Sequence, residues 1–269
     1  MDESKLRDLE NRVAVLEESS HIDRSLGSTD KKVIEDSISD TILDIAWDKY
    51  FYYYTFFESL DGWDGSATVS SVVTRLFLRT STVQNNIAYA RKRALYQNVL
   101  SYEFESRFRT SFDVAYSLGS GSLTTVKAYV GTGHSITGGT GDIFSDGLAS
   151  SSHYGFYMDD STLYGICSNG SNYSTIQLAT GCTNFGLRVV EARHYPGTKV
   201  SFFMSDETSS IFGDTDIKIL KEVGSLSTTL PSGVRTAVAQ FAVKNTNGAA
   251  QDREMDVGFF EMAQVRPHA

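Results

Sequence analysis

The sequence predicts a mainly β protein, a β-sandwich or barrel with a short helix in front of it. From residue 58 onward, short runs of β-prone residues alternate with clusters of Gly, Ser and Thr, such as SLGSGS at 117–122 and GTGHSITGGTGD at 131–142. This spacing of strands and turns is typical of all-β sandwiches and barrels. Of the 269 residues, 41% are hydrophobic, which is enough for one large core.

The first element, residues 1–19, has the apolar spacing of a coiled coil. Leu6, Leu9, Val13 and Leu16 follow a 3-4-3 pattern that forms an a/d seam. In this register each basic g residue faces the acidic e residue of the next heptad, and the pairs predict parallel self-association. The alternative is a single amphipathic helix lying on its own domain, although such helices usually show a wider apolar face. A trimer is favoured over a dimer, and its interface residues are Leu6, Leu9, Arg12, Val13, Leu16 and Glu17.

The second segment, residues 20–57, is interpreted as a linker followed by an aromatic-rich neck. In WDKYFYYYTFF, residues 47–57, eight of the eleven residues are aromatic. A strand with this composition has to be covered on both faces, which predicts a buried strand or a layer of the trimer interface. A stacking platform for sugars is the alternative. The negative charge is concentrated before this run, because residues 1–48 have 6 basic and 13 acidic side chains and residues 49–269 have 18 and 20.

The third segment, residues 58–269, is expected to form the sandwich. Tyr102 to Phe108 predicts a strand, and the two apolar runs on either side of Pro196-Gly197 predict a hairpin between Val189 and Phe203. Residues 86–100 could form a helix by composition, but strands are favoured because β segments flank them. The two cysteines, Cys167 and Cys182, are interpreted as unpaired thiols, with a bond between them as the alternative.

The order of several segments resembles the concanavalin A-like, laminin-G-like jelly roll. These segments are FFESLDGWDG (56–65), LSYEFESRFR (100–109), YGFYMDDSTLYGICSNG (154–170), FGLRVVEARHYPGTKVSFFMSDE (185–207), LPSGV (230–234) and MDVGFFEMAQVR (255–266). The resemblance covers roughly residues 56–266 and implies a jelly-roll β-sandwich. Its motifs are generic, and the fold includes lectins, hydrolases, lyases and spacer domains, so it informs the fold more than the function.

A short trimer-forming helix before a Gly/Ser/Thr-rich sandwich also resembles virion fibres and spikes of tailed phages and similar viruses. The first residues contain no apolar stretch of the kind found in signal peptides. This resemblance implies a homotrimer that is made in the host cytoplasm and reaches the outside in the virion after lysis. The N-terminal segment would contact other virion proteins, and the sandwich would contact a host-surface glycan or protein.

Catalytic motifs are absent from the sequence, and we expect no enzyme. The paired-carboxylate motif of jelly-roll glucanases, Glu-x-Asp-x-x-Glu, does not occur. The nearest acidic sets are Glu103 with Glu105, and Asp252 with Glu254 and Asp256, each interpreted as a solvated strand face. A carbohydrate-active hydrolase or lyase remains one alternative, and a virion decoration or adaptor protein without a ligand is another.

Sugar binding requires a flat aromatic side chain beside polar groups. The residues that meet this requirement, and that we predict to contact a glycan, are Trp63, Tyr154, Tyr157, Asp159, Tyr164 and Tyr173. No cofactor is expected. The one ion considered is Ca²⁺, for which Asp142 and Asp146 in a Gly-bearing loop would supply oxygens.

Two classes of partner are excluded by composition. The net charge of −9 argues against nucleic acid. No run of 18 apolar residues occurs, so membrane insertion is not expected.

Overall fold

A computed structural model describes the chain from residue 50 to residue 265 with several gaps. The described residues are 50–55, 57, 63–66, 69–72, 75–93, 100–116, 125–133, 142–182, 188–205, 220–235, 237–246 and 252–265. By internal contacts the chain divides into two units, Met1–Asp48 and Lys49–Ala269. The predicted coiled coil, with Leu6, Leu9, Arg12, Val13, Leu16 and Glu17, lies outside the described residues and stays a prediction.

The described part of the second unit is a sandwich of two antiparallel sheets, as the sequence predicted. The strands are β1 Tyr50–Thr55, β2 Trp63–Gly65, β3 Val69–Val72, β4 Arg75–Arg79, β5 Ile87–Arg93, β6 Leu100–Ser101, β7 Ser106–Tyr116, β8 Val126–Gly131, β9 Ser152–Asp159, β10 Thr162–Asn169, β11 Tyr173–Ala179, β12 Arg188–Tyr195, β13 Lys199–Ser205, β14 Leu220–Leu226, β15 Val234–Arg235, β16 Ala237–Asn245 and β17 Arg253–Val265. One short helix, α1, spans Ile143–Asp146.

The strand order defines two large sheets and one small one. Sheet A runs β14-β13-β12-β7-β17-β4-β3, and β1 pairs with β17 next to β4. Sheet B runs β11-β10-β9-β8-β16-β5-β2. Strands β6 and β15 form a separate pair. Strands distant in sequence therefore become neighbours, which places residues from both ends of the sandwich domain side by side.

The core lies between the two sheets, because alternate residues of each strand point inward. In β7 these are Phe108, Phe112 and Val114, which are buried, whereas Arg107 and Arg109 between them point outward. Phe202 of sheet A packs on Phe156 of sheet B with ring centroids 5.6 Å apart. A glycine makes this contact possible, because a Cβ added at Gly165 would lie 2.6 Å from the Phe202 ring.

Several local predictions are confirmed. The hairpin around Pro196-Gly197 joins β12 to β13, and Gly197 has the positive φ of 63° that the turn needs. Within residues 86–100, strand β5 forms rather than a helix. Cys167 and Cys182 are both free, and the Cys167 thiol donates a hydrogen bond to the Thr228 carbonyl.

Two predictions are wrong in detail. The strand expected from Tyr102 begins only at Ser106, because Tyr102 and Glu103 form a turn that joins β6 to β7. The aromatic run is not a neck that precedes the sandwich: residues 50–55 are strand β1, paired antiparallel with β17 in sheet A. Phe57 is buried in the core beside Trp63. The sandwich therefore begins near residue 50 rather than at residue 58.

One end of the sandwich contains a buried polar cluster around His194. The imidazole stacks on Tyr154 and meets the edge of Tyr102. The Tyr154 hydroxyl hydrogen-bonds to Ser106, and the Tyr102 hydroxyl to Thr132, each at 2.8 Å. Burial lowers the pKa of His194 to about 4, although a backbone hydrogen bond near Phe104 opposes this shift.

Replacing Gly165 with alanine should destabilise the sandwich, because the new Cβ collides with the buried Phe202 ring. We expect a loss of about 1–3 kcal/mol in the free energy of unfolding, measured by chemical denaturation. Phe202→Leu in the same chain should recover part of this loss, since it removes the ring. Strictly additive effects of the two substitutions would contradict the proposed collision.

Lowering the pH from 6.5 to 4 should destabilise the protein partly through His194. The unfolded chain binds a proton here more readily than the folded chain, so the free energy of unfolding falls as the pH is lowered through this window. We expect this residue to account for about 3 kcal/mol of the fall. Denaturation of His194→Phe at pH 7 and pH 4 measures the contribution, and a pH dependence that parallels the wild type would contradict it.

Candidate functional site

Four tyrosines lie in one cross-strand row on the outer face of sheet B. Tyr89 of β5 pairs with Ala242 of β16, which pairs with Tyr129 of β8. Tyr129 pairs in turn with Tyr157 of β9, and Tyr157 with Tyr164 of β10. Each of these strands also contributes alternate residues to the core, so the row points away from it.

Helix α1 packs on the middle of this row. Ile143 forms a second, smaller core with Tyr129, Tyr157, Ile166 and Ala242. Phe144 and Leu148 pack against the same cluster, and the Phe144 and Tyr157 ring centroids are 6.5 Å apart. Tyr129 and Tyr157 are therefore covered, whereas Tyr89 and Tyr164 at the two ends of the row are half-buried.

A glycine pair fits beneath Tyr129. Gly131 and Gly155 pair across β8 and β9, and a Cβ added at Gly155 would lie 2.4 Å from the Val130 carbonyl oxygen. The Tyr129 hydroxyl lies beside Gly131 and donates a hydrogen bond to the Thr132 carbonyl at 2.9 Å. Only glycines allow the two strands and the tyrosine this close approach. The glycines therefore hold the Tyr129 ring in place, with its hydroxyl at the end of the sandwich that contains the His194 cluster.

Next to α1, four residues form what we call the tyrosine–carboxylate patch: Lys127, Tyr157, Asp159 and Tyr164. The Tyr157 hydroxyl donates to Asp159 Oδ2 at 3.1 Å, and Lys127 Nζ lies 3.4 Å from the same oxygen. Lys127 Nζ also lies 5.9 Å from the centre of the Tyr157 ring. The Tyr157 and Tyr164 rings are 6.1 Å apart. The patch thus combines a half-buried aromatic ring with a charged pair.

The surroundings of Tyr157 keep its hydroxyl protonated, so it acts as a hydrogen-bond donor. Burial raises the pKa of Tyr157, and the negative charge of Asp159 and its hydrogen bond raise it further. Asp159 Oδ2 makes the contacts with Tyr157 and Lys127, whereas Oδ1 has no hydrogen-bond partner among the described residues. The Asp159 side chain is 41% exposed. One carboxylate oxygen is therefore oriented by the protein and the other is open to solvent.

Three of the six predicted glycan residues come together in this patch, namely Tyr157, Asp159 and Tyr164. Tyr173 is 48% exposed, but it pairs with Ser168 at the far end of the β10–β11 hairpin. The prediction for Tyr154 is wrong, because this residue is buried with its hydroxyl bonded to Ser106. The half-buried Trp63 ring packs against the core beside Phe241 and Phe260 and does not join the patch.

Sequence reasoning missed Lys127. Its contact with Asp159 depends on the pairing of β8 with β9, which are separated by a loop of about 20 residues. The alternation of buried Val126, Ala128 and Val130 does indicate that Lys127 points outward. The identity of the neighbouring strand is what the sequence alone does not supply.

The predicted calcium ligands have a different role. Asp142 Oδ1 accepts hydrogen bonds from the backbone amides of Phe144 and Ser145, both at 2.9 Å, and so caps α1. Asp142 is buried, whereas Asp146 is half-buried in the helix itself. Among the described residues, no group of three or more His, Cys, Asp or Glu side chains is placed to hold a metal ion.

The two sets of acidic residues that were considered for catalysis differ in their surroundings. Glu254 and Asp256 lie on β17 and Asp252 immediately precedes it; Arg79 pairs with Asp252 and Glu254, and Arg75 pairs with Asp256. Burial raises the pKa of Glu254, and Arg79 opposes the shift. Glu103 lies in the β6–β7 turn and is not on a strand with Glu105.

Solved structures of other proteins share this arrangement of strands. The carbohydrate recognition domain of Emp47p matches with a TM-score of 0.52 and 7% identity, over 79% of this chain and 94% of that one. A protein of unknown function from Shewanella oneidensis MR-1 matches with a TM-score of 0.50 and 13% identity, over 82% and 90%. The fold is a lectin-like jelly roll. Arcelin-5, a lectin-like defence protein of Phaseolus vulgaris, has a TM-score of 0.49 at 10% identity, over 81% and 99%.

The first two of these matches establish the jelly-roll fold that the segment order predicted, and at such identities they establish nothing about the ligand. No family model and no curated protein matches the sequence. Within the described ranges, no helix has the length and apolar character needed to cross a membrane.

Removing the cap of α1 should loosen the cover over the tyrosine row. Asp142→Ala deletes the acceptor for two backbone amides, and we expect a loss of about 1 kcal/mol in the free energy of unfolding. Asp142→Asn keeps an acceptor oxygen and should lose less. Chemical denaturation measures both variants, and equal stability of Asp142→Ala and the wild type would contradict the capping role.

Proposed function

We propose that this protein is a non-enzymatic glycan-binding protein and that the tyrosine–carboxylate patch is its binding site. The observation that carries this proposal is the position of Tyr164 beside Tyr157, whose hydroxyl orients an Asp159 carboxylate with an open Oδ1. A sugar needs an apolar face for its C–H groups and a fixed acceptor for its hydroxyls. The patch supplies both on the neighbouring strands β9 and β10.

Each patch residue has a distinct role in this proposal. Tyr164 offers its half-buried ring to the face of a sugar, while Asp159 Oδ1 accepts one or two sugar hydroxyls. Tyr157 and Lys127 hold Oδ2, so the carboxylate loses little conformational freedom when the ligand binds. Lys127 also offsets the cost of removing the carboxylate from water. The name of the Emp47p domain, which describes carbohydrate recognition, agrees with a glycan ligand.

The setting that we propose is a homotrimeric virion fibre or spike, which attaches to a host surface through the sandwich. The support for the trimer is the heptad pattern of residues 6–17 and the charged pairs that flank it. In this setting residues 1–48 contact other virion proteins. The runner-up is a virion decoration or adaptor protein without a ligand, and a glycan-binding assay separates the two.

A hydrolase or lyase is the alternative from another class, and one observation favours it. Glu254 lies between Asp252 and Asp256, and its pKa is raised, as in many general acids. Against it, Arg79 and Arg75 pair with all three carboxylates. We expect no reducing sugar to be released from polysaccharides, and release that Glu254→Gln abolishes would establish the enzyme.

Glycan binding should depend on Tyr164. A glycan array with the full chain identifies a ligand, and Tyr164→Ala should weaken its affinity about tenfold because the stacking face is lost. Tyr195→Ala is the matched control, since Tyr195 is a half-buried tyrosine beside Lys199 on the opposite sheet. Equal losses in the two variants, or an array without ligands, would refute the site.

The mass of the full chain in solution tests the trimer. Light scattering should give about three times the 29.6 kDa of one chain. A chain with both Leu9→Asp and Val13→Asp should form fewer trimers, because carboxylates then occupy the apolar seam. A monomeric wild type would refute the fibre setting, and trimers unaffected by the substitutions would assign assembly to another segment.

A further inference from the structure

The outer face of sheet A contains five charged side chains in adjacent positions on three central strands. On one cross-strand row, Glu191 of β12 pairs with Arg109 of β7, which pairs with Glu261 of β17. On the next row, Arg193 pairs with Arg107. We call Arg107, Arg109 and Arg193 the arginine cluster. Within these five residues three cations share two carboxylates, so one positive charge of the group is in excess.

The excess charge is located at Arg109. Arg193 Nε donates to Glu191 at 2.5 Å, and Arg107 donates to Glu261. Arg109 Nε is 4.0 Å from Glu191 and forms no hydrogen bond in the described part of the chain. Its side chain is 25% exposed, whereas Glu191 is only 2% exposed. The central guanidinium is thus fixed by its surroundings but accessible from outside.

Two serines on the same face also have unused hydroxyls. Ser201 of β13 pairs with Arg193, and Ser111 lies two residues after Arg109 on β7. Both side chains are buried, and neither hydroxyl has a hydrogen-bond partner among the described residues. A buried hydroxyl without a partner is costly. A ligand that offers hydroxyl groups as well as a negative charge would reduce this cost.

We propose that the arginine cluster binds a carboxylate-bearing saccharide, such as an oligomer of uronic acid. Arg109 binds the carboxylate through its planar guanidinium, which matches a carboxylate with two parallel hydrogen bonds. Ser111 and Ser201 bind sugar hydroxyls on the two sides of it. Phe203, which lies under Arg193 at 4.4 Å, holds that arginine in place.

An acidic sugar fits this face better than an acidic peptide. A uronic acid has its carboxylate and its hydroxyls on one rigid ring, and both kinds of group have partners here. Elsewhere on the face Arg75 pairs with Asp256 at 2.7 Å, and Asp113, which lies opposite Asp256 on β7, is a further carboxylate. General attraction for polyanions is therefore not expected, since residues 49–269 carry a small net negative charge. This site is separate from the tyrosine–carboxylate patch, which lies on the other sheet.

Calorimetry with oligogalacturonate and with its fully methyl-esterified form tests the proposal. The full chain should bind the acid and not the ester, and higher salt should weaken binding. Arg109→Gln should weaken binding about tenfold or more, because hydrogen bonds to a charged group are lost. Arg75→Gln, the matched control on the same face, should bind like the wild type. Equal affinity for acid and ester, or equal effects of the two substitutions, would overturn the proposal.

Two further variants show whether weaker binding by Arg109→Gln reflects the lost contact or a folding defect. Glu191→Gln removes a carboxylate that competes for the arginines, so it should strengthen binding several-fold, and unchanged affinity would count against the site. Arg109→Lys keeps the charge but loses the fork geometry, and its affinity should lie between those of the wild type and Arg109→Gln.

Two comparisons identify the ligand and the surface. Titration with polyglutamate tests whether the site prefers a carboxylate on a peptide to one on a sugar. A higher affinity for polyglutamate than for oligogalacturonate would overturn the proposal that the ligand is a saccharide. Tyr164→Ala should leave oligogalacturonate binding unchanged. If Tyr164→Ala loses oligogalacturonate binding, this ligand binds at the tyrosine–carboxylate patch and the second site is overturned. If the protein binds oligogalacturonate but no neutral glycan, only the proposed function is refuted.

Discussion

The pairing of β7 with β17 is the constraint on which both faces of sheet A depend. This pair is antiparallel along most of both strands, with one bulge between Val257 and Phe259. On its inner side it places Phe108 beside Met262 in the core, and on its outer side it places Arg109 beside Glu261. Because successive residues of a strand alternate between faces, one register determines the apolar packing and the charged surface together. A shift by one residue would bury the arginines.

Sheet B uses a different device, because aromatic rather than charged residues occupy its outer face. Helix α1 converts most of that face into a second core, and the close Gly131–Gly155 pair lets Tyr129 lie flat against the strands. The part beside Tyr164 combines a half-buried ring with an oriented carboxylate. The two outer faces therefore offer different chemistry on one scaffold: stacking and a hydroxyl acceptor on sheet B, and a cationic fork on sheet A.

The sequence predicted the sandwich well because strands and turns are local features, as with the Pro196-Gly197 hairpin. It predicted the site only in part. Tyr157, Asp159 and Tyr164 were found because they flank the tight β9–β10 hairpin, whereas Lys127 and the arginine cluster depend on pairing between distant strands. Tyr154 was assigned wrongly because an aromatic residue next to a polar loop points inward or outward according to the register of its strand. The aromatic run was placed before the domain because its partner, β17, lies 200 residues later.

The central claim is that a sugar binds at the tyrosine–carboxylate patch, and a co-crystal structure with an array-selected glycan tests it most directly. The account predicts a sugar ring on the face of Tyr164, with a hydroxyl within hydrogen-bonding distance of Asp159 Oδ1. Lys127 and Tyr157 should keep their contacts with Oδ2. A neutral glycan bound at any other surface of the sandwich, with Asp159 Oδ1 left in solvent, would contradict the account.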